Sequence, residues 1–282
     1  MLQSLFFHIK TAALVLLLGL SVAPSFADIL ISPTRITLDE RNRSAAITLI
    51  NPGNETRAYR IGWKQLIALP QGGYRELTEQ EKQQFSSIER IIRVSPKQVT
   101  LQPGQRQTVK LLLRKQQGMM DGEYRSHLTL TALPPLEKKA APKQQGPSFQ
   151  LNMLTSYTLP ILYREGKLSV NPSITNLSLV TQKDSGITYI KVAFTHRDKF
   201  SSHGRLIALW QPKGGSQRQV GILNGYNLYP ETPNAQIQFP WESFKLEPGT
   251  LTVRFEGQQE FSGQVFSTKT LTITPQMIRS VQ

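Results

Sequence analysis

The four histidines of this chain are the side chains best suited to acid–base or metal chemistry. They are His8, His127, His196 and His203. None has a second ligand at the spacing of a zinc site, and the sequence contains neither HExxH nor a cysteine pair. His127 lies in a predicted strand, where we expect a surface or hydrogen-bonded histidine, and His196 and His203 lie in a predicted loop. The sequence therefore predicts no metal site.

Motifs for covalent catalysis and phosphate binding are also absent from the sequence. It has no G-x-S-x-G elbow, no S-x-x-K and no P-loop. Asp39 and Glu40 are adjacent carboxylates, but their place at the end of a predicted strand is typical of a solvated turn. The glycosylation patterns at Asn54 and Asn176 are short and arise by chance. We therefore predict that the protein is not an enzyme and has no cofactor.

The first 27 residues have the composition of a secretory signal. Lys10 precedes an apolar run from Ala12 to Val22, and small residues follow around Ala27. This run is about half the ~20 residues that a membrane-spanning helix needs. We therefore predict cleavage after Ala27 and an exported mature chain that begins at Asp28 and has no membrane span.

Charge and cysteine content limit the partners of an exported chain. Because the sequence has no cysteine, stability must come from hydrophobic burial rather than disulfides. The formal charge of +14 would attract nucleic acid, anionic lipid or acidic protein. Export argues against nucleic acid, and the basic residues are scattered. We expect a basic surface that keeps the protein soluble, with an acidic protein partner as the alternative.

Alternating apolar and polar residues predict an all-β protein. About seven strands precede residue 165, with turn spacing typical of an immunoglobulin-like β-sandwich. They lie in segments 29–38, 44–53, 58–67, 92–115 (two strands), 122–135 and 148–164. The polar segment 75–92 fits a short helix or a loop, and Tyr124 fits the corner tyrosine of such a fold. Seven more strand candidates follow, so we predict sandwiches over 28–165 and 166–282, set at an angle with a cleft between them.

The segment SFQLNMLTSYTLPILYR, residues 148–164, is the most regular predicted strand. A proline-rich polar stretch, PPLEKKAAPKQQGP, precedes it and resists regular structure. Its apolar side chains share one side of a two-residue period, with Thr155 as the only gap: Phe149, Leu151, Met153, Tyr157, Leu159, Ile161 and Tyr163. Alternation alone favours a strand whose apolar residues all face the core of their own domain.

Three segments resemble the PapD-like periplasmic chaperones of pilus assembly. ISPTRITLDERNRSAAITLINPGNETRAYRI resembles their first strands, and IRVSPKQVTLQPGQRQTVKLLLR resembles the segment in which a Pro-Gly turn precedes a basic strand. SYTLPILYREGKL is similar to the end of their last N-domain strand. The resemblance covers most of residues 28–167, whereas over 168–282 it rests on a second Ig-like strand pattern alone. The forms YRSHL and LPILYR indicate a non-standard, archaic branch.

This resemblance implies a chaperone that lends its last N-domain strand to a pilus subunit lacking a strand of its own sandwich. It implies a periplasmic location, pilus or fimbrial subunits and an outer-membrane usher as partners, and self-association of the free protein. Leu159 and Ile161 then lie nearer the chaperone's own core. The implied donor residues are Phe149, Leu151, Met153, Thr155 and Tyr157.

The resemblance also implies two basic residues that bind the terminal carboxylate of the subunit in the cleft. Arg35 in SPTRI matches the first of them, on the first strand; the alternative is that it faces solvent. The second is a lysine of the last strand, but Pro160 stands at that place. We take Arg125 in EYRSHL as its substitute, because the planar fork of arginine can bond both carboxylate oxygens.

A second hypothesis is an Ig-like surface adhesion or carbohydrate-binding module. Such a module predicts aromatic side chains exposed at loop tips. Trp210 lies in a predicted strand and fits the core better than a loop tip. The candidates are Trp210, Tyr226, Tyr229 and Trp241.

Overall fold

The computed structural model describes residues 29–85, 87–134, 154–245 and 247–274 of the 282-residue chain. The predicted signal peptide, most of the proline-rich stretch and the predicted donor residues Phe149, Leu151 and Met153 lie outside the described residues. Within these four ranges, no helix has the length and hydropathy needed to cross a membrane.

The residues up to Glu165 form eleven strands and one short helix within the described ranges. They are β1 (Leu30–Ser32), β2 (Ile36–Leu38), β3 (Ser44–Ile50), β4 (Arg57–Lys64), β5 (Leu66–Ala68), β6 (Tyr74–Glu76), α1 (Glu79–Gln84), β7 (Ile92–Ser95), β8 (Gln98–Leu101), β9 (Arg106–Leu113), β10 (Gly122–Ala132) and β11 (Ser156–Glu165). One sheet has the order β1–β3–β9–β7, and the other has the order β2–β11–β10–β4–β8. β5 and β6 form a separate hairpin.

Several predicted segments are more finely divided than we expected. The first predicted strand is split at Pro33 into β1 and β2, which belong to different sheets, because proline has no N–H for a sheet ladder. Segment 58–67 is shared between β4 and β5, and segment 92–115 holds three strands instead of two. The polar segment 75–92 contains α1, whose N-terminus is closed by a capping box between Thr78 and Glu81.

The two sheets of this first domain enclose one hydrophobic core. Burial alternates along β9 and along β7, as expected for strands with one face inward. On β10, Leu128 and Leu130 are buried in this core. The Tyr124 hydroxyl donates to the backbone carbonyl oxygen of Met120 at 3.0 Å, four residues upstream, which confirms the predicted corner tyrosine.

The second domain contains all seven of the strands predicted for it. Its sheets have the orders β12–β13–β16 and β15–β14–β17–β18, and they enclose a second core. A turn at Gly166 leads into it with φ of +88°, where a Cβ atom would lie 2.5 Å from Cγ of Asp121. The strands are β12 (Ser173–Thr181), β13 (Thr188–Thr195), β14 (Ser202–Pro212), β15 (Arg218–Leu228), β16 (Gln236–Pro240), β17 (Gly249–Gly257) and β18 (Val265–Ile273).

The aromatic side chains that the adhesion hypothesis placed at loop tips lie inside the molecule. Trp210 and Tyr229 are each 1% exposed and Trp241 is 3% exposed, while Tyr226 is half-buried against the second core. Trp210 and Trp241 contact each other edge to face, with ring centroids 5.1 Å apart. The expectation of exposed aromatics was therefore wrong, because these rings fill the second sandwich and its contact with the first domain.

Candidate functional site

Strand β11 is paired differently along its two halves. On one side β10 runs beside the whole strand, from Ser156 to Glu165. On the other side β2 pairs only with Ile161, Leu162 and Tyr163. We call Ser156–Pro160 the first half of β11 and Ile161–Glu165 its second half. In the part of the chain that the structure describes, no strand lies beside the first half on that side. A sheet edge of this kind can pair with the strand of another protein.

The burial of β11 side chains changes at the same place. Leu159, Ile161 and Tyr163 are at most 5% exposed and face the core of their own domain, as expected for Leu159 and Ile161. Tyr157 and Thr155 on the same side are only partly buried. The apolar face of the strand therefore emerges from the core toward its N-terminal end, where a partner could cover it.

The two domains enclose a cavity of about 860 Å³. Thr34, Arg35, Tyr74 and Pro160 line it from the first domain, and residues of β14, β15 and the segment 256–265 line it from the second. The two positions that the resemblance assigns to carboxylate binding, Arg35 and Pro160, therefore share one cavity. Pro160 brings no charge to it.

Arg35 directly precedes β2 and is 5% exposed, so it does not face solvent as the alternative predicted. Its Nη1 atom donates to Oε1 of Gln259 at 3.0 Å and to Oε2 of Glu260 at 3.2 Å. Its Nη2 atom donates to Oε1 of Glu260 at 3.1 Å. The guanidinium fork thus holds both oxygens of a carboxylate, in the geometry that also suits the carboxylate of a chain end.

A buried ion network continues from Glu260 to Arg164 and Glu123. Arg164 donates from Nη1 to Glu260 at 2.7 Å, from Nε to Glu123 at 3.0 Å and from Nη2 to the carbonyl oxygen of Ser201 at 2.8 Å. Burial acts to raise the pKa of Glu260, but Arg35 and Arg164 outweigh it and lower that pKa. Because these partners come from both domains, the network fixes how the domains are oriented.

Arg125 lies at a different part of the domain contact. It is 3% exposed, and its Nη1 and Nη2 atoms bind the carboxylate of Glu231. Its Nη2 atom also donates to the carbonyl oxygen of Leu66 at 3.3 Å, and its guanidinium carbon lies 3.7 Å from the ring centroid of Tyr229. Burial acts to lower the pKa of Arg125, because it disfavours the charged form. The nearby carboxylate of Glu231 outweighs this effect, so the pKa of Arg125 is raised overall. Arg125 is not among the residues that line the cavity.

His127 lies two residues after Arg125 on β10. We expected it to lie at the surface or to form a hydrogen bond, and among the described residues it does neither. It is 2% exposed, and neither ring nitrogen has a hydrogen-bond partner among the described residues. Its ring meets that of Tyr74 edge to face, with centroids 5.2 Å apart. Burial, and then the charge of Arg125, lower the pKa of His127 to about 3, so the ring is neutral near pH 7.

The β5–β6 hairpin covers this region and connects the two domains. The backbone N–H of Ala68 donates to Oε1 of Glu231 at 3.1 Å, and the hydroxyl of Tyr74 bonds to that of Tyr229 at 3.3 Å. The backbone N–H of Gln236 donates to the carbonyl oxygen of Pro70 at 2.6 Å. The hairpin therefore buries His127 and Arg125, which sequence patterns alone gave no reason to expect.

Sequence reasoning missed the acidic residues that complete this site. Glu260 and Glu231 bind arginines that are 225 and 106 residues away along the chain, and no local motif marks either glutamate. Arg164 had one signal, a charge at the end of an otherwise apolar strand. Within the described ranges, no group of His, Asp and Glu side chains is arranged to hold a metal ion.

Comparison with solved structures gives chains from chaperones and from chaperone–subunit complexes, all at low sequence identity. A chain of the Salmonella enterica SafA pilin in complex with the SafB chaperone is 14% identical, with 89% of this chain and 98% of that chain covered and a TM-score of 0.44. A chain of the CsuC–CsuE chaperone–tip adhesion subunit complex of Acinetobacter baumannii is 13% identical, with coverages of 88% and 99% and a TM-score of 0.43. The Pseudomonas aeruginosa CupB2 chaperone is 12% identical, with coverages of 86% and 99% and a TM-score of 0.43.

Comparison with curated protein sequences gives no match. The family model for the pili and flagellar-assembly chaperone, PapD N-terminal domain, matches residues 28–168, which is half of the chain. This range contains β11, Arg35 and the first-domain wall of the cavity. The chain belongs to the PapD-like family of pilus-assembly chaperones.

Proposed function

We propose that this protein is a periplasmic chaperone that holds a pilus or fimbrial subunit by lending it the first half of β11 and the residues before it. The observation that carries the proposal is the pairing of β11, which has β2 beside its second half only. A subunit strand added at this edge would form backbone hydrogen bonds with β11, and its core would receive alternate side chains.

The inserted side chains are those that continue the inward face of β11 toward its N-terminus. Phe149, Leu151 and Met153 have the same two-residue period as Leu159 and Ile161, with Thr155 and Tyr157 between them. Each large apolar side chain that enters the subunit would contribute about 1.5–3 kcal/mol by leaving water. These residues, rather than those already in the chaperone core, would give the complex its affinity.

The terminal carboxylate of the subunit binds at Arg35 in this proposal. Arg35 lines the cavity, and its fork holds two carboxylate oxygens of Glu260, which a subunit carboxylate would have to displace. Glu260 would keep Arg164 as its partner. A subunit carboxylate at this place would fix the register of the added strand, because a one-residue slip would turn its apolar side chains to the wrong face.

The remaining roles follow from the family and from the sequence. The chain is exported, its signal is cleaved after Ala27, and the mature protein comprises domains 28–165 and 166–282. It acts without catalysis and transfers the subunit to an outer-membrane usher. The free protein self-associates through the edge of β11 that has no neighbour among the described strands, since such an edge is a site of pairing between copies.

The test is recovery of the subunit from the periplasm with a chaperone tagged at its C-terminus. We compare the unchanged protein with a Leu151→Glu, Met153→Glu double variant. The matched control is Gln150→Glu, Asn152→Glu, which adds the same charge to the opposite side of the same strand. Circular dichroism must show that both variants are folded.

The proposal expects that a β-rich subunit accompanies the unchanged protein and the control but not the Leu151, Met153 variant. Equal recovery with both variants would show that the apolar side of this strand does not enter the subunit. Absence of a subunit from all three proteins would contradict the chaperone role itself.

A further inference from the structure

We propose that the outer face of the sheet β1–β3–β9–β7 binds the surface of a membrane that contains anionic lipid. This sheet does not contain β11, so the proposal goes beyond the proposed function and does not depend on it. We call this surface the basic face. It consists of the outward-pointing residues of the four strands and of Arg114, which directly follows β9 and continues its two-residue period.

Alternation along the strands identifies the residues of the basic face. Ile47, Val94 and Val109 are buried in the first core, so the residues on either side of them point outward. Strand register arranges these outward residues in four rows across the sheet: Leu30, Ile50 and Arg106; Ser32, Thr48 and Thr108; Ala46, Lys110 and Ser95; Ser44, Leu112 and Arg93. The rows cover a surface about 15 Å wide and about 20 Å long.

The charges of the basic face are all positive. No Asp or Glu stands in any of its four rows. Its cations are exposed and form no ion pair with any residue that the structure describes: Arg93, Arg106, Lys110 and Arg114. Before β3, the carboxylate of Glu40 binds Lys115. After β3, the carboxylate of Glu55 binds Arg57. The face is therefore complementary to an anionic surface.

The shape of the basic face favours a lipid surface as that partner. Its two middle rows contain small side chains and one lysine, so the surface is flat, as a bilayer is. Leu30 is 49% exposed and Leu112 is 46% exposed, and each lies in the same row as an arginine. Exposed aliphatic side chains beside cations are typical of proteins that bind at a membrane interface, where arginine bonds phosphate and the aliphatic groups enter between headgroups.

Electrostatic attraction to anionic lipid acts only over a short range. Each Lys or Arg held near an anionic leaflet strengthens binding by about fivefold. The attraction decays over a Debye length of about 8 Å at physiological ionic strength, whereas the second sheet of the domain lies about 10 Å behind the first. A chaperone bound through the basic face would therefore leave the first half of β11 accessible to a subunit.

The experiment is sedimentation of the mature protein, recovered from the periplasm, with vesicles of equal parts phosphatidylglycerol and phosphatidylcholine. Vesicles of phosphatidylcholine alone are the control without net charge. We expect binding to the anionic vesicles and none to the control. We expect the binding to be lost as the salt concentration rises toward about 1 M, where the Debye length is about 3 Å.

Two variants, each lacking four cations, test whether this face makes the contact. The face variant is R93Q, R106Q, K110Q and R114Q in one chain. The matched control removes four exposed cations of the second domain that form no ion pair among the described residues, by K183Q, K213Q, R218Q and K269Q. We expect the face variant to weaken binding to anionic vesicles by at least about tenfold and the control variant by less than about twofold. Circular dichroism must show that both are folded.

Equal weakening in the two variants would overturn the proposal, because binding would then follow net charge rather than this face. Equal binding to both kinds of vesicle, or binding that salt does not weaken, would also overturn it, since apolar segments would then make the contact. If no vesicle binds, and a periplasmic protein other than the subunit is recovered with the unchanged chain but not with the face variant, the face binds protein and the lipid proposal is wrong. Absence of any vesicle binding overturns it in every case. Recovery of the subunit with the Leu151, Met153 variant tests the proposed function separately.

Discussion

The two halves of β11 form one continuous strand but differ in pairing and burial. The second half is paired on both sides, and Ile161, Leu162 and Tyr163 are each 0% exposed. The first half has β10 on one side only among the described strands, and its apolar side is partly uncovered. A client that bound the first half, as we propose, would therefore add to a strand whose second half is already paired and buried.

If the first half is donated as we propose, this difference would let the chaperone offer an apolar strand without unfolding itself. The second half ends in Arg164 and Glu165, and Arg164 connects it to the second domain through Glu260 and Ser201. Burial and the ion pair of Arg164 with Glu260 together fix the position of the second half of β11. In the proposed complex a client would add to a first half that β10 already holds in extended form, which keeps the entropy cost of binding low.

The largest effect is expected from removing Arg164, whose ion pairs with Glu123 and Glu260 hold the C-terminal end of β11. In Arg164→Ala, Glu123 would keep its buried charge without the guanidinium, since its side chain is 2% exposed. We expect a loss of about 3–5 kcal/mol in the free energy of unfolding. Urea denaturation measures it. A loss below about 1 kcal/mol would mean that the network does not hold the domains together.

A pH-dependent effect is expected at His127, which lies opposite Pro160 at the junction of the two halves. Its pKa is about 3 in the folded protein and about 6.5 in the unfolded chain, so only the unfolded state takes up the proton between these values. This contribution to stability is complete above about pH 6.5 and is lost as the pH falls toward 3, by up to about 1.4 kcal/mol per pH unit.

His127→Leu removes that titration. We expect its free energy of unfolding to fall less steeply than that of the unchanged protein between about pH 6.5 and 5, a range above the ordinary pKa of glutamate. Urea denaturation at several pH values gives the slope. Equal slopes for the two proteins would show that His127 is accessible to protons in the folded state.

The smallest effect is expected from trimming an apolar side chain in the second half of β11 or just before the strand. Ile161→Val removes one methyl group from a fully buried site and should cost about 1 kcal/mol. Leu154 lies just before β11 and is 50% exposed, so Leu154→Ala should change stability by less than about 0.5 kcal/mol. Thermal unfolding compares the two. Equal losses would show that the residue just before β11 is packed as tightly as the second half of the strand.

Local patterns in the sequence predicted the strands well and the contacts between domains poorly. All seven strands of the second domain were found, because alternation and turn residues act over a few neighbouring positions. The β5–β6 hairpin and the burial of His127 were missed, since both depend on contact with the distant Tyr229 and Glu231. The pairing of Arg35 with Glu260 likewise depends on the folded second domain.

The donor residues depended on the family resemblance rather than on pattern. Alternation across residues 148–164, taken alone, favours a strand wholly inside its own core. Leu159, Ile161 and Tyr163 do lie in that core, so the pattern was correct for the second half of the strand. For Phe149, Leu151 and Met153, the assignment to a client stays a prediction.

Amide hydrogen exchange along β11, in the free chaperone and in its complex with the recovered subunit, tests the central claim most directly. The account predicts slow exchange at Ile161, Leu162 and Tyr163 in both states. It predicts that edge-facing amides between Leu154 and Leu159 exchange fast in the free protein and slowly in the complex. Unchanged exchange in that first half on subunit binding would contradict donation of the strand.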